Sequence, residues 1–158
     1  MNIKLEKKIF LIEDSPDDEL LTLRALKRNN IKNEVIVARD GQEALDWLFC
    51  EGSHANRDPR ITAAVILLDL KLPKIDGIAV LRRIRSDSKT KMIPVVILTS
   101  SRQEEDILES YQIGANSYVR KPVDFLEFSE AVSRLGIYWL LVNEMPPEWR
   151  QSAEEKVA

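Results

Sequence analysis

The sequence has a single cysteine, Cys50, and a single histidine, His54, among its 158 residues. One cysteine excludes a disulfide within the chain, and the apolar residues before Cys50 favour a buried, inert thiol. The histidine lies in a polar stretch and is expected to be solvated rather than bound to a metal ion. Sites built from several cysteines or histidines are therefore excluded.

A strong net charge and a long apolar run are also missing. The formal net charge is -3, which does not favour general binding to nucleic acid. The first residues pass directly into a short apolar segment that holds two acids, unlike a signal peptide or a membrane-spanning helix. We expect a cytoplasmic protein of one domain that binds neither nucleic acid nor membrane.

The most informative stretch begins with the unbroken apolar run Ala63–Leu68 and ends in Asp69. A short run without polar alternation is typical of a strand buried on both faces of a parallel sheet. Pro73 and the pair Asp76 and Gly77 predict a turn, and the following apolar residues have helical spacing. Asp69 is therefore expected where a buried strand emerges at its carboxyl end, the edge at which α/β sheets bind ligands.

The same succession of strand and helix occurs five times along the chain. Strands are predicted at residues 7–12, 34–38, 63–68, 94–99 and 116–120. The last helix is expected to run from about Asp124 to the Pro146 and Pro147 pair. This alternation predicts an α/β fold with a five-stranded parallel sheet and helices on both faces.

Four of the predicted strands end in polar or charged residues. These are Glu13 and Asp14, Asp69, Thr99, and Lys121. Because parallel strands point the same way, their ends should gather at one edge of the sheet. Converging carboxylates repel each other unless a hard cation such as Mg2+ joins them. A carboxylate nucleophile with Mg2+, a lysine and a threonine hydroxyl is a site suited to receive a phosphoryl group.

With these residues in this order, the sequence resembles the receiver domain of two-component response regulators, the CheY-like family. The matching stretches are IEDSPDD, VILLDLKLPKIDG, PVVILTSS and YVRKP. The resemblance covers about residues 7–135, with a short tail at residues 1–6 and an extension of the last helix with a tail at residues 136–158. It implies a flavodoxin-like (βα)5 fold with strand order 2-1-3-4-5.

The resemblance also implies a phosphoacceptor and a metal site. Asp69 would accept the phosphoryl group. The ligands of Mg2+ would be Glu13, Asp14, Asp69 and the backbone carbonyl of Lys71. Phosphorylation and dephosphorylation of Asp69 would be the only chemistry, so no other enzyme activity is expected.

Three further residues match the receiver pattern. Thr99 would bond a phosphoryl oxygen, and Lys121 would pair with the phosphoryl group. Tyr118 would be an aromatic switch that turns inward together with Thr99. Two residues after the phosphoacceptor, Lys71 departs from many relatives, and its ammonium would either cover the phosphoryl group and hinder water or point to solvent.

Within the family, the chain most resembles the stand-alone response regulators that partner bacterial and cyanobacterial phytochromes. The pointers are the EDSPDD start, the polar segment 51–60 and the aromatic stretch IYWL. The resemblance implies that a sensor histidine kinase, a bacteriophytochrome in this group, donates the phosphoryl group. The signal would then pass on by contact between proteins.

The apolar run at residues 137–142 is too wide for one helix face to bury. Some of its residues would cover the sheet while others are exposed singly, or the run would form a surface for a partner. We expect a homodimer or partner surface at Tyr138, Trp139 and Leu141, since the phytochrome-partner group is associated with homodimers.

Other functions fit the residues less well. A haloacid-dehalogenase-type phosphohydrolase would need an acid where this chain has Lys71, and a flavin or nucleotide carrier would need a phosphate-binding loop where it has acids. The remaining alternative is a receiver-fold scaffold that acts without phosphorylation.

Overall fold

The computed structural model describes residues 7–144, in which five strands alternate with five α-helices. The strands are β1 (Lys8–Ile12), β2 (Val35–Ala38), β3 (Ala63–Leu68), β4 (Val95–Thr99) and β5 (Ser117–Arg120). The helices are α1 (Pro16–Arg28), α2 (Gly41–Phe49), α3 (Gly77–Ser86), α4 (Glu104–Ile113) and α5 (Phe125–Ile137). The predicted N-terminal tail and the predicted helix stop at Pro146 lie outside the described residues.

All strand pairs are parallel, and the order in the sheet is β2-β1-β3-β4-β5, so the predicted fold is confirmed. Every residue of β3 is buried because helices cover both faces of the sheet. Ile66 and Leu68 belong to the core under α2 and α3, while Val65 and Leu67 belong to the core under α1 and α5. The unbroken apolar run in the sequence follows from this double burial.

Aspartate or serine side chains cap the N-termini of four of the helices. The capping residues are Ser15, Asp40, Asp76 and Asp124. Helix α4 differs, because its N-cap residue is Gln103 and makes no side-chain bond to the helix. No helix in the described part of the chain is both long and apolar enough to cross a membrane.

Two segments differ in detail from the sequence predictions. Cys50 is half-buried rather than buried, and it ends α2 in a left-handed conformation with φ of 53°. The polar segment after it contains a short 3-10 helix, Gly52–His54. Arg57 holds this segment to α2, since its guanidinium lies 4.2 Å from the ring centre of Trp47.

After α5 the chain continues into a π-helical turn, Tyr138–Val142. Leu140 is buried and Trp139 is half-buried, and both pack against the core under α1 and α5. Tyr138 and Leu141 remain exposed at 49% and 79%. The predicted surface therefore contains Tyr138 and Leu141, whereas Trp139 turns largely toward the core.

Candidate functional site

The carboxyl ends of four neighbouring strands bring the predicted residues together. Glu13 follows β1, Asp69 follows β3, Thr99 ends β4 and Lys121 follows β5. The strand ladders extend into the site, because the N–H of Asp69 bonds the carbonyl of Ile12 at 3.1 Å. On the other side, the N–H of Lys121 bonds the carbonyl of Thr99 at 2.8 Å. The sheet thus fixes the backbone beneath each of these side chains.

Lys121 lies at the centre of the acidic groups. Its Nζ donates to Oδ2 of Asp69 at 2.8 Å and to Oδ2 of Asp18 at 2.9 Å, and it also contacts Glu13. The side chain is only 8% exposed. Burial alone would lower the pKa of Lys121, but its bonds to Asp18, Asp69 and Glu13 raise the pKa above the usual value. The ammonium is therefore a permanent charge of the site.

Asp69 accepts hydrogen bonds on both carboxylate oxygens. Oδ1 accepts from the hydroxyl of Thr99 at 2.8 Å and from the backbone N–H of Lys71 at 3.1 Å. Burial raises the pKa of Asp69, and this effect is outweighed by hydrogen bonding to Glu13 and Lys121, which holds the pKa below its ordinary value. Asp69 is therefore an ionised, oriented carboxylate, as a nucleophile requires.

Glu13 is almost fully buried, with 2% of the residue exposed. Its Oε1 meets Lys121, while Oε2 has no hydrogen-bond partner. Burial, together with the neighbouring Asp69, raises the pKa of Glu13 to about 8. A second positive charge near Oε2 would favour the ionised form of this carboxyl group.

The carboxylates of Glu13, Asp14 and Asp69 fit a divalent cation. One oxygen from each of them lies within 4.8 Å of the others. Asp14 is exposed and gives access from solvent, while Oε2 of Glu13 has no hydrogen-bond partner and is available to bind a cation. A donor set made of carboxylate oxygens suits Mg2+. Lys71 contacts Asp69 through its N–H, and the role of its carbonyl as a ligand stays a prediction.

Asp18 is a site residue that the sequence pattern did not identify. An acid in the first turn of a helix indicates by itself only a favourable interaction with the helix dipole. In the structure its backbone N–H bonds the Ser15 cap at 3.3 Å while its carboxylate reaches Lys121. The available signal was its place in the first turn of α1, which begins directly after Glu13 and Asp14 at the end of β1.

A second missed group connects Tyr118 with α4. The Tyr118 hydroxyl donates to the backbone carbonyl of Ser101 at 3.1 Å, and the Ser101 hydroxyl donates to Asp106 at 2.5 Å. The Nζ of Lys71 lies 4.0 Å from Asp106. The exposed Lys71 ammonium thus faces an acid at the start of α4 rather than solvent alone. The predicted switch residue is held beside the loop that follows Thr99.

The loop after Asp69 is held by close backbone packing. The N–H of Gly77 bonds the carbonyl of Leu70 at 3.0 Å. A Cβ atom added to Gly77 would lie 2.4 Å from the carbonyl oxygen of Asp69, which no real contact allows. Glycine therefore lets α3 begin directly against the phosphoacceptor candidate.

Comparison with known proteins points to one family. A family model described as the response regulator receiver domain matches residues 9–133. The sequence is 39% identical over 140 residues to response regulator Rcp1 of Synechocystis sp. (strain ATCC 27184 / PCC 6803 / Kazusa). That match covers 89% of this chain and 93% of Rcp1.

Solved structures of response regulators, two of them from phytochrome systems, share the fold. The phosphorylated cyanobacterial phytochrome response regulator RcpA matches with a TM-score of 0.83 and 40% identity, over 89% of this chain and 99% of RcpA. The bacteriophytochrome response regulator RtBRR matches with a TM-score of 0.72 and 49% identity, over 95% of this chain and 90% of RtBRR. The Mn2+-bound form of Rcp1 has a TM-score of 0.81 and 37% identity, over 89% of this chain and 99% of Rcp1.

Proposed function

The chain belongs to the family of response regulator receiver domains, and from this membership we propose that it accepts a phosphoryl group on Asp69. It is related to phytochrome response regulators, and phosphorylation on an aspartate is typical of its family. The observation that carries the assignment is the convergence of Thr99 and Lys121 on the two oxygens of Asp69.

In the proposed transfer, a carboxylate oxygen of Asp69 attacks the phosphorus of a phosphohistidine. An O–P bond forms and the N–P bond breaks, and the imidazole leaves with the electron pair and takes up a proton. Lys121 and the Thr99 hydroxyl lie where they would stabilise the oxygens of the transferred group. Glu13, Asp14, Asp69 and the carbonyl of Lys71 would hold Mg2+, which would neutralise charge on that group.

We propose a sensor histidine kinase as the phosphoryl donor, and a bacteriophytochrome as the kind of kinase. The support for the narrower choice is that RcpA and RtBRR, both similar over most of this chain, are response regulators of phytochromes. Under the same proposal the protein acts in the cytoplasm, and its output is contact with another protein. Apart from its own phosphorylation and dephosphorylation, it needs no enzyme activity.

The test is the intact mass of the protein after incubation with acetyl phosphate and Mg2+. The wild type should gain one labile phosphoryl group, and Asp69→Asn should gain none. Asp17→Asn, which alters an exposed acid on α1, is the matched control and should react like the wild type. An adduct on Asp69→Asn would refute the assignment. An unreactive wild type that also fails to bind Mg2+ would favour the scaffold alternative.

We further propose that the chain forms a homodimer through an apolar surface at the end of α5. This C-terminal surface consists of Ile137, Tyr138, Leu141 and Val142, which are 46%, 49%, 79% and 60% exposed. Such clustered apolar exposure beside the half-buried Trp139 suits an interface between chains.

Light scattering at a series of protein concentrations tests the dimer. The wild type should have the mass of two chains, and Leu141→Asp should have the mass of one. Leu108→Asp is the matched control, because Leu108 is 60% exposed on α4 and is not one of the four residues of this surface. A wild type that stays monomeric at all concentrations, or a dimer that survives Leu141→Asp, would contradict the proposal.

A further inference from the structure

Three carboxylates bond the ammonium of Lys121, but they are not equivalent. Glu13 and Asp69 are also candidate ligands of the cation, together with Asp14. Asp18 bonds the ammonium at 2.9 Å and stands outside that group of three. Of the three carboxylates that bond Lys121, only Asp18 would not bind the cation and could keep its bond to the ammonium.

Cation binding and the present bonds of Lys121 compete for the same oxygens. The ammonium lies 2.8 Å from Oδ2 of Asp69 and also meets Glu13. A divalent ion that takes oxygens of both carboxylates repels an ammonium at that distance, so Lys121 must move when the ion binds. Because the side chain is only 8% exposed, the ammonium cannot simply be transferred to bulk water without another partner.

We propose that Asp18 is a positioning residue that holds the Lys121 ammonium aside when a divalent cation binds Glu13, Asp14 and Asp69. The inference rests on the proposed function, since it assumes that the cation binds at this site. Asp18 suits the role because its carboxylate is 36% exposed, while its backbone is fixed in the first turn of α1. The Ser15 side chain accepts its N–H, and Thr22 donates to its carbonyl at 2.8 Å.

The inference predicts an effect that a simple loss of charge does not produce. Without Asp18, the Lys121 ammonium is bonded only to Glu13 and Asp69. A cation that binds these two carboxylates must then displace the ammonium, which has no third carboxylate to bond. Loss of a charge-assisted hydrogen bond corresponds to about a tenfold weakening of Mg2+ affinity. Asp17 carries the same charge one residue away and is exposed, so its loss should weaken binding less than about twofold.

The experiment is a calorimetric titration of the full chain with MgCl2. Asp18→Asn should bind Mg2+ about tenfold more weakly than Asp17→Asn, and Asp18→Glu should recover part of the affinity. The same two asparagine substitutions are then made in a Lys121→Met background, or in Lys121→Gln if the first variant does not fold. Without the ammonium, Asp18→Asn and Asp17→Asn should have the same effect on Mg2+ affinity.

The outcomes separate this inference from the proposed function. Equal affinities for Asp18→Asn and Asp17→Asn in the wild-type background would overturn the role of Asp18 and leave the metal site standing. A persistent effect of Asp18→Asn without Lys121 would overturn it too, since Asp18 would then act on the cation directly. If the wild type does not bind Mg2+, the metal site fails and the inference fails with it, whatever the result of phosphorylation by acetyl phosphate.

Discussion

The hydroxyl of Thr99 donates to Oδ1 of Asp69 at 2.8 Å, joining the ends of two neighbouring central strands. Both residues are buried, with 0% and 7% of their surfaces exposed. With Lys121 on the other oxygen, the carboxylate is oriented before any phosphoryl donor arrives. Such orientation lowers the entropic cost of reaching the transition state.

The Thr99 bond predicts different results for two small substitutions. Thr99→Ala should slow phosphorylation by acetyl phosphate about tenfold, because a hydroxyl donor to a charged site is lost. Thr99→Ser, the matched control, keeps the hydroxyl and should react at nearly the wild-type rate. The measurement is the rate at which the phosphorylated mass appears. Equal rates for the alanine and serine variants would contradict a role for the hydroxyl.

Removal of the Lys121 ammonium should make stability depend more strongly on Mg2+. Without the ion, Lys121→Met leaves two buried carboxylates without their cation, and we expect a loss of about 3 kcal/mol in the free energy of unfolding. Saturating Mg2+ should restore more stability to this variant than to the wild type, because the ion no longer competes with an ammonium. Urea unfolding with and without MgCl2 measures both quantities. Equal stabilisation of the two proteins by Mg2+ would refute the competition.

The Tyr118 hydroxyl should stabilise the loop after Thr99 without affecting the reactivity of Asp69. Its bond goes to the carbonyl of Ser101, so Tyr118→Phe should cost about 1 kcal/mol of stability and leave the rate of phosphorylation unchanged. Tyr111→Phe is the control, since Tyr111 is 49% exposed on α4. Urea unfolding and the acetyl phosphate reaction test the two parts. A slower reaction of Tyr118→Phe would mean that the hydroxyl acts on the site itself.

Two glycines should respond differently to a methyl group. Gly77→Ala places Cβ 2.4 Å from the carbonyl oxygen of Asp69, so backbone must shift, at a cost of about 2 kcal/mol in unfolding free energy. Gly136→Ala meets the end of the Ile31 side chain, which can rotate away, and gains about 1 kcal/mol in helix propensity. Gly136→Ala should therefore be close to neutral in urea unfolding. Equal losses in both variants would contradict this explanation.

The sheet and most of the site could be predicted because they depend on features that are local in sequence. Ala63–Leu68 is apolar without interruption, which is typical of a strand buried by helices on both faces of its sheet. Once the strands are parallel, Asp69, Thr99 and Lys121 must come to one edge. Their mutual bonds follow from the register of β3, β4 and β5.

Other features depend on geometry that the sequence pattern does not contain. The carboxylate of Asp18 reaches Lys121 because of how α1 is rotated over the sheet, which its spacing from Asp14 only suggests. Trp139 turns toward the core because the helix widens, with the N–H of Asn143 bonding the carbonyl of Tyr138 at 2.7 Å. The usual 3.6-residue period does not describe that turn.

Asp69 follows the innermost strand, while Lys121 follows an edge strand. β3 pairs on both sides, but β5 has only four residues and pairs with β4 alone. Local opening should therefore begin at β5, and the amide hydrogen of Val119 should exchange with solvent much faster than that of Leu67. The strand that carries Asp69 should be the last part of the sheet to open, and the strand that carries Lys121 should be among the first. Small excursions of this edge would therefore move Lys121 while Asp69 keeps its place.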